Sequence, residues 1–347
     1  MTSRIAEHLS SVSLKNSERR RFLDLTALFS KARILVIGDF ILDQFIWGSV
    51  DRISPEAPVP VVNVTRESYA PGGALNAAHN IHALGGKVIP CGVVGTDNEA
   101  RVLRNLLKQK GIETSGVFNQ PGRPTTVKTR IIAHAQHVVR FDRETTEAVP
   151  REILRKIQAF IKQALAQADV LMIEDYGKGV LQPSLLKEII RQARRLGKPV
   201  LVDPKPKNFP YYRGAAVITP NRKEAFEASN CTDVDKAGKS LLKKMEAKAV
   251  LMTLGEKGMA LFEKDKPVFT LPATAREVYD VSGAGDTVIA VFALALAAGA
   301  NLREAALLSN QAAGLVVAKL GTATVSAGEL RESVLTLDLK KRGGKHA

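Results

Sequence analysis

The stretch Val278, Tyr279, Asp280, Val281, Ser282, Gly283, Ala284, Gly285, Asp286, Thr287 runs straight into a continuous apolar segment ending near Gly299. Small residues at 283–285 let the backbone turn tightly and present its N–H groups, and a helix starting near Asp286 adds its positive dipole end. The result is a cradle for an anion. A carboxylate is electrostatically awkward there unless it acts as a base beside a phosphoryl group in transit. Asp286 is therefore the candidate general base and Gly283, Ala284 and Gly285 the candidate cradle. An N-cap role is the bland alternative for a lone Asp in this position; further polar and glycine clusters favour the functional reading.

Pro71, Gly72, Gly73, Ala74, Leu75 and Asn76 precede a helix ending near Gly85. The glycines allow close approach to a ligand, and Asn76 offers both a donor and an acceptor to a hydroxylated substrate. Asp39 and Asp43, four apart after the first strand, suit the adjacent hydroxyls of a polyol. Asn221 and Glu224 share one face at a helix start, which suits water-mediated Mg²⁺ positioning at Glu224 and equally suits a plain capping pattern. Thr253, Gly255 and Gly258 form a strand-end turn that can contact nucleotide.

These residues need a scaffold that gathers them. Short apolar runs at Ile34–Ile37, Val88–Val94, Val170–Ile173, Val200–Val202, Val217–Thr219 and Val250–Leu254 alternate with helical segments. That rhythm implies an α/β fold with a largely parallel sheet, whose ligands bind beyond the carboxyl ends of the strands. Phe45–Tyr69 and Thr125–Asp142 break the rhythm and read as antiparallel strands of a small inserted β lid, which would cover the site or supply a dimer surface. Residues 1–30 read as an N-terminal extension, 31–330 as one α/β domain carrying the inserted lid, and 331–347 as a basic tail.

The 347 residues, 45% hydrophobic and 24% charged, suffice for one large core. Two distant cysteines, Cys91 and Cys231, make no disulfide or zinc pattern, which fits a reducing cytoplasm. The net charge of +15 is scattered, and aromatics at 5% interleave no basic stripe, so nucleic acid is not an expected partner. The apolar run 288–298 is too short to span a bilayer, and no membrane association is expected.

Gly72, Gly73, Asn76, Gly85 and Gly95 together with Asp280–Asp286 resemble the two signatures of the ribokinase (PfkB) family of carbohydrate kinases, with the NxxE element at Asn221 and Glu224. The resemblance covers roughly residues 31–330 and implies a ribokinase-like three-layer fold. It implies ATP as phosphoryl donor, Mg²⁺, and Asp286 as the base, with the N–H groups of Ser282–Gly285 on the transferring γ-phosphoryl. Asp39, Asp43, Gly72, Gly73 and Asn76 would hold the sugar. Asn221, Glu224, Thr253, Gly255, Gly258 and Asn310 would surround the nucleotide and metal, with Arg222 and Lys223 beside them.

Arg52–Val62 (RISPEAPVPVV), Asp175–Gly179 (DYGKG), Asp203–Lys205 (DPK) and Val278–Val288 resemble the branch that phosphorylates D-glycero-β-D-manno-heptose 7-phosphate at O1 for ADP-heptose, a lipopolysaccharide core precursor. Many family members carry Thr where Val281 stands. With no HxGH-type segment before Ala347, the stand-alone form of that kinase is expected. A substrate that already bears a phosphate needs a cationic anchor; Lys178, Lys205 and Arg130 are the candidates, with Arg140 less favoured. Another sugar or sugar-phosphate kinase of the same fold is the rival reading, and a non-catalytic sugar-phosphate sensor a weaker one. A dinucleotide-binding oxidoreductase is disfavoured because no GxGxxG follows the first strand. A homodimer through the lid is expected.

Overall fold

The computed structural model describes residues 16–134, 136–275 and 277–336. The first half of the expected N-terminal extension and most of the basic tail, residues 337–347, lie outside the described residues. The chain runs through α1 (Asn16–Leu28), β1 (Arg33–Gly38), β2 (Phe40–Ile53), β3 (Pro60–Gly73), α2 (Ala74–Ala83), β4 (Lys87–Val94), α3 (Asn98–Gln109), β5 (Val117–Asn119), β6 (Thr126–Ala133) and β7 (Gln136–Arg143). It continues through α4 (Arg151–Gln167), β8 (Val170–Glu174), α5 (Pro183–Arg195), β9 (Val200–Asp203), β10 (Val217–Ile218), α6 (Arg222–Ser229), α7 (Val234–Met245) and β11 (Ala249–Thr253). Last come β12 (Met259–Glu263), β13 (Phe269–Leu271), α8 (Ala284–Ala297), α9 (Leu302–Val316) and α10 (Ala327–Leu335).

The main sheet has nine strands in the order β13-β12-β11-β10-β9-β8-β1-β4-β5. All neighbours from β11 to β5 pair in parallel, while β12 and β13 are antiparallel additions at one edge. Parallel strands buried on both faces must be apolar on both, and alternation along β1 shows how. Ile34 and Val36 join one core with α1, α2, α3, α8 and α9, whereas Leu35 and Ile37 join the other with α4, α5 and α7. α8 is apolar all round because it is buried all round, from Asp286 to Ala295. α1 is part of this structure: Phe22 and Leu25 are buried in the first core.

The second sheet has four strands in the order β3-β2-β6-β7. β2 pairs antiparallel with β3, and β6 antiparallel with β7, but β2 and β6 pair in parallel. The lid is therefore mixed rather than antiparallel. Its two hairpins are separated by α2, β4, α3 and β5, a crossover long enough to bring β6 back in the same direction as β2. The strands are also longer than expected, because β3 runs through Gly73 and pairs it with Phe40. Beyond their roots β3 and β7 are exposed almost throughout. Among the described residues no helix is long and apolar enough to cross a membrane.

Candidate active site

β1, β8 and β9 end at one edge of the main sheet, and α8 starts there. Asp286, in the first turn of α8, is buried. Its Oδ2 accepts from Asn76 Nδ2 at 2.6 Å and its Oδ1 from the Tyr176 hydroxyl at 2.5 Å. Asn76, expected to face a sugar, instead orients the carboxylate. Gly283 makes that contact possible: it sits at φ 78°, and a Cβ there would fall 2.4 Å from Asn76 Nδ2. Below it Asn80 Nδ2 donates to the Asn76 carbonyl and accepts on Oδ1 from the Thr287 hydroxyl, tying α2 to α8.

Of the cradle amides, Ser282 N–H is committed to Asp280 Oδ1 at 2.8 Å and Ala284 N–H to the Val281 carbonyl at 3.2 Å. The amides of Gly283, Gly285 and Asp286 donate to nothing among the described residues. The free N–H groups are thus those of Gly283, Gly285 and Asp286 rather than the expected Ser282–Gly285, with Asp280 fixing the start of the turn through Ser282 and Gly321.

Tyr176 went unnoticed as a site residue, although DYGKG was singled out. It reaches Asp286 because its turn is fastened from below. Asp39 is buried and accepts from the amides of Tyr176 at 3.0 Å, Lys178 at 3.0 Å and Val180 at 3.3 Å. Its carboxylate is spent on this turn, which corrects its expected role as a sugar ligand. Asp175 accepts from Gly177 N–H, Asn208 and Tyr212, and Arg123 donates to the carbonyls of Lys178 and Glu147. Gly72 and Gly73 likewise serve chain approach: a Cβ on Gly72 would meet the Asp43 carboxylate, and one on Gly73 the Asp39 carbonyl.

Asp43 remains at the site, buried and paired with Arg130 Nη1 at 2.5 Å. Its carboxyl is raised by burial, against which Arg130, Lys128 and Arg140 pull down. Lys178 Nζ lies 2.5 Å from Glu144, and Lys128, unnoticed in the sequence, bridges Asp142 at 2.8 Å and Glu144 at 3.6 Å. Arg130, Lys128 and Arg140 of the small sheet act on Asp43, and Lys178 of the DYGKG turn joins this network through Glu144. Lys205 spans the two regions: its Cγ lies 3.7 Å from where a Cβ on Gly177 of the DYGKG turn would be, and its charge acts on Asp203 and Glu224.

Glu174, Asp203 and Asp286 place carboxylate oxygens within 4.8 Å of one another. Both Glu174 oxygens are buried and unpartnered, a donor set with the hard oxygen chemistry of a divalent cation site. Glu224, the expected metal residue, returns one oxygen to Asn221 N–H at 3.0 Å in a capping box while Asn221 Oδ1 accepts from Glu224 N–H. Glu224 still lies close enough to raise Asp203. Glu174 is visible in the sequence as a polar strand end at the ligand-binding edge, but a single carboxylate there does not announce a metal donor.

The expected nucleotide residues spread along the same edge. Asn221 bridges to Thr253 in parallel pairing, and Gly255 faces open space. Arg222 and Lys223 are exposed. Gly258 packs against the Leu271 carbonyl in the turn into β12. Asn310 is buried and spends its amide on the Pro272 carbonyl while its own carbonyl accepts from Thr274; it shapes the wall and does not present a free side chain.

A buried carboxylate held by two side-chain donors, beside free backbone N–H groups at the carboxyl edge of a parallel sheet, is an arrangement that suits a carbohydrate kinase. Phosphofructokinase-2 of Escherichia coli, in complex with potassium, superposes with a TM-score of 0.73 at 20% identity, over 88% of this chain and 98% of that one. Ribokinase of Arabidopsis thaliana, complexed with ribose and ATP, gives 0.67 at 19%, over the same shares; likeness at such identity shows the common fold. The profile of the pfkB family carbohydrate kinases matches residues 31–327, and the chain belongs to that family. It is 46% identical over 315 residues to bifunctional protein HldE of Geotalea uraniireducens and 47% over 313 to that of Caulobacter vibrioides. Each match covers 88% of this chain and 64% of the relative, so the chain spans just under two thirds of their length.

Burial raises the Asp286 carboxyl to about 6, while Tyr176 and Asn76, donating to its charged form, restrain the rise. A base must be ionised, so activity present above that value is lost as pH falls through it. We predict an acid limb in kcat/KM near pH 6, and a loss of about 10²-fold or more in turnover for Asp286→Asn. Steady-state kinetics across pH check both; a folded Asp286→Asn protein with near-normal turnover would contradict the assignment.

Proposed function

We propose that the chain transfers the γ-phosphoryl of ATP to O1 of D-glycero-β-D-manno-heptose 7-phosphate, giving the 1,7-bisphosphate on the cytoplasmic route to ADP-heptose. The observation that carries this is the network of cations near Asp43: Arg130 and Lys128 from the small sheet act on it, and Lys178 from the DYGKG turn joins through Glu144. Arg130, Lys128 and Lys178 are already paired with carboxylates, so a substrate phosphate would take over partners that exist and need no new charge. The identity to HldE proteins and the RISPEAPVPVV, DYGKG and DPK stretches support the heptose over other sugars.

In this reading Asp43 accepts from sugar hydroxyls and Asp286 takes the proton from the anomeric hydroxyl. The amides of Gly283, Gly285 and Asp286 stabilise charge on the γ-phosphoryl, so the catalysis is positioning and electrostatics without a covalent intermediate. Thr253, Gly255, Arg222 and Lys223 line the nucleotide. Glu174 and Asp203 would hold Mg²⁺, with Glu224 through water; when bound, the ion offsets charge on the β- and γ-phosphates. Lys205, packed beside Gly177 and acting on Asp203 and Glu224, stays a candidate with Lys178 and Arg130 for the remote phosphate in this arrangement.

We further propose a homodimer through the lid, whose Ile53, Val59, Val64, Val139 and Phe141 are exposed apolar side chains on a sheet edge and face. Sedimentation equilibrium is expected to give a dimer, with Phe141→Glu shifting it toward monomer; a wild-type monomer at assay concentrations overturns the assembly.

The substrate is tested with ATP and Mg²⁺ against heptose 7-phosphate, unphosphorylated heptose, fructose 6-phosphate, ribose and adenosine, the product position being read by phosphorus NMR. Heptose 7-phosphate is expected to give the highest kcat/KM, with Lys178→Gln raising its KM far more than that of ATP. Equal efficiency on the unphosphorylated heptose would replace this reading with a general sugar kinase.

A further inference from the structure

The opposite end of the main sheet carries a second concave site. α5 leads from the carboxyl end of β8 to the amino end of β9, so its last turns lie beside the loops entering β9, β10 and β11, away from Asp286. Lys187, Arg191, Arg194 and Arg195, at spacings of four, seven and eight, bring four cations to one face of that helix. Arg213 adds a fifth from the loop before β10, and the cleft between them has a volume of about 740 Å³. Ile190, Pro210 and Tyr211 form its apolar wall.

Cations outnumber carboxylates there. Among the described residues Glu246 is the one carboxylate lining the cleft; it is paired with Arg213 and also feels Arg194, while Glu188 beside the cleft is paired with Arg191 and also feels Arg195. The guanidinium groups of Arg194 and Arg195 donate to nothing among the described residues. Lys187 Nζ rests 5.3 Å from the centre of the Tyr211 ring. Arg194 lies against Gly214, where a Cβ would come within 2.6 Å of its Nη1, so the absent side chain makes room for the guanidinium. Like charges at helical spacing repel, and a bound anion would relieve that repulsion.

We propose that this cleft binds a small diphosphate-bearing ligand, with the diphosphate on Arg194 and Arg195 and an organic group against Tyr211 and Pro210. Guanidinium forks match phosphate oxygens two at a time. The volume falls within the roughly 300–1,000 Å³ range of small-molecule sites, and the concave shape with an aromatic wall favours a small ligand over a membrane or a nucleic acid.

The test uses the full chain, with inorganic pyrophosphate and uridine diphosphate as probes, read by calorimetry and by hydrogen exchange. Both probes are expected to protect 187–195 and 206–214. Arg194→Gln with Arg195→Gln is expected to weaken binding about tenfold or more, leaving kinase activity and the protection of 283–287 by ATP unchanged. Uridine diphosphate is expected to bind more tightly than pyrophosphate; equal affinities would overturn the placement of the organic group. Unchanged affinity in the double variant overturns the site. Protection of these segments by anionic phospholipid vesicles but by neither probe would overturn the small-ligand proposal in favour of a membrane surface.

Discussion

Three carboxylates held within 4.8 Å of one another at the carboxyl edge of the sheet set the terms for everything around them. Burial chiefly raises Glu174 and Asp203 well above the ordinary carboxylate range; the charges of Asp203 and Asp286 raise Glu174 further, and those of Glu224 and Asp286 raise Asp203. Folding accepts this repulsion because the surrounding structure leaves no alternative: Glu174 and Asp203 end adjacent, paired strands, and α8 delivers Asp286 between them. Such an arrangement calls for protons or a cation, and the phosphoryl transfer proposed here has a use for both.

The rest of the edge makes one member of the trio different. Asp286 alone has two short donors, from Tyr176 and Asn76, and those come from opposite parts of the fold. Asn76 is held by α2 packing on α8; Tyr176 is held by a turn that Asp39 fastens through three amides. Asp39 is itself raised to about 6 by burial, its amide bonds pulling the other way. Its folded-state value lies above the unfolded one, so ionisation above that pH weakens the fold. The turn is therefore kept for what it positions.

Much of this was legible in the sequence. All six apolar runs became strands of the main sheet, because buried parallel strands must be apolar on both faces. The glycine turn before α8 was legible because tight turns restrict residue type. What stayed hidden depends on pairings between distant residues: Asn76 and Asp286 are 210 positions apart, and Asp39 and Lys178 are 139. No local pattern announces that Asp39 serves amides instead of hydroxyls, or that Glu174 stands unpartnered beside Asp203. The parallel pairing of β2 with β6 was hidden for the same reason, since alternation within a strand is silent about the direction of its neighbour.

The proposed site requires that a cation held by Glu174 and Asp203 offset the repulsion within this trio, leaving Asp286 free as the base. Thermal unfolding of the chain without nucleotide, with and without Mg²⁺, tests it most directly when wild type is compared with Glu174→Gln. The folded-state values of Glu174 and Asp203 are raised, so their unfavourable contribution grows as pH rises through them, and bound Mg²⁺ should offset it by about 2.7 kcal/mol at a hundredfold excess over Kd. The account predicts a Mg²⁺-dependent rise in Tm at pH 8 that fades toward pH 5. In Glu174→Gln it predicts a higher Tm without metal and no Mg²⁺ response. A Glu174→Gln protein with a lower metal-free Tm and an intact Mg²⁺ response would contradict it.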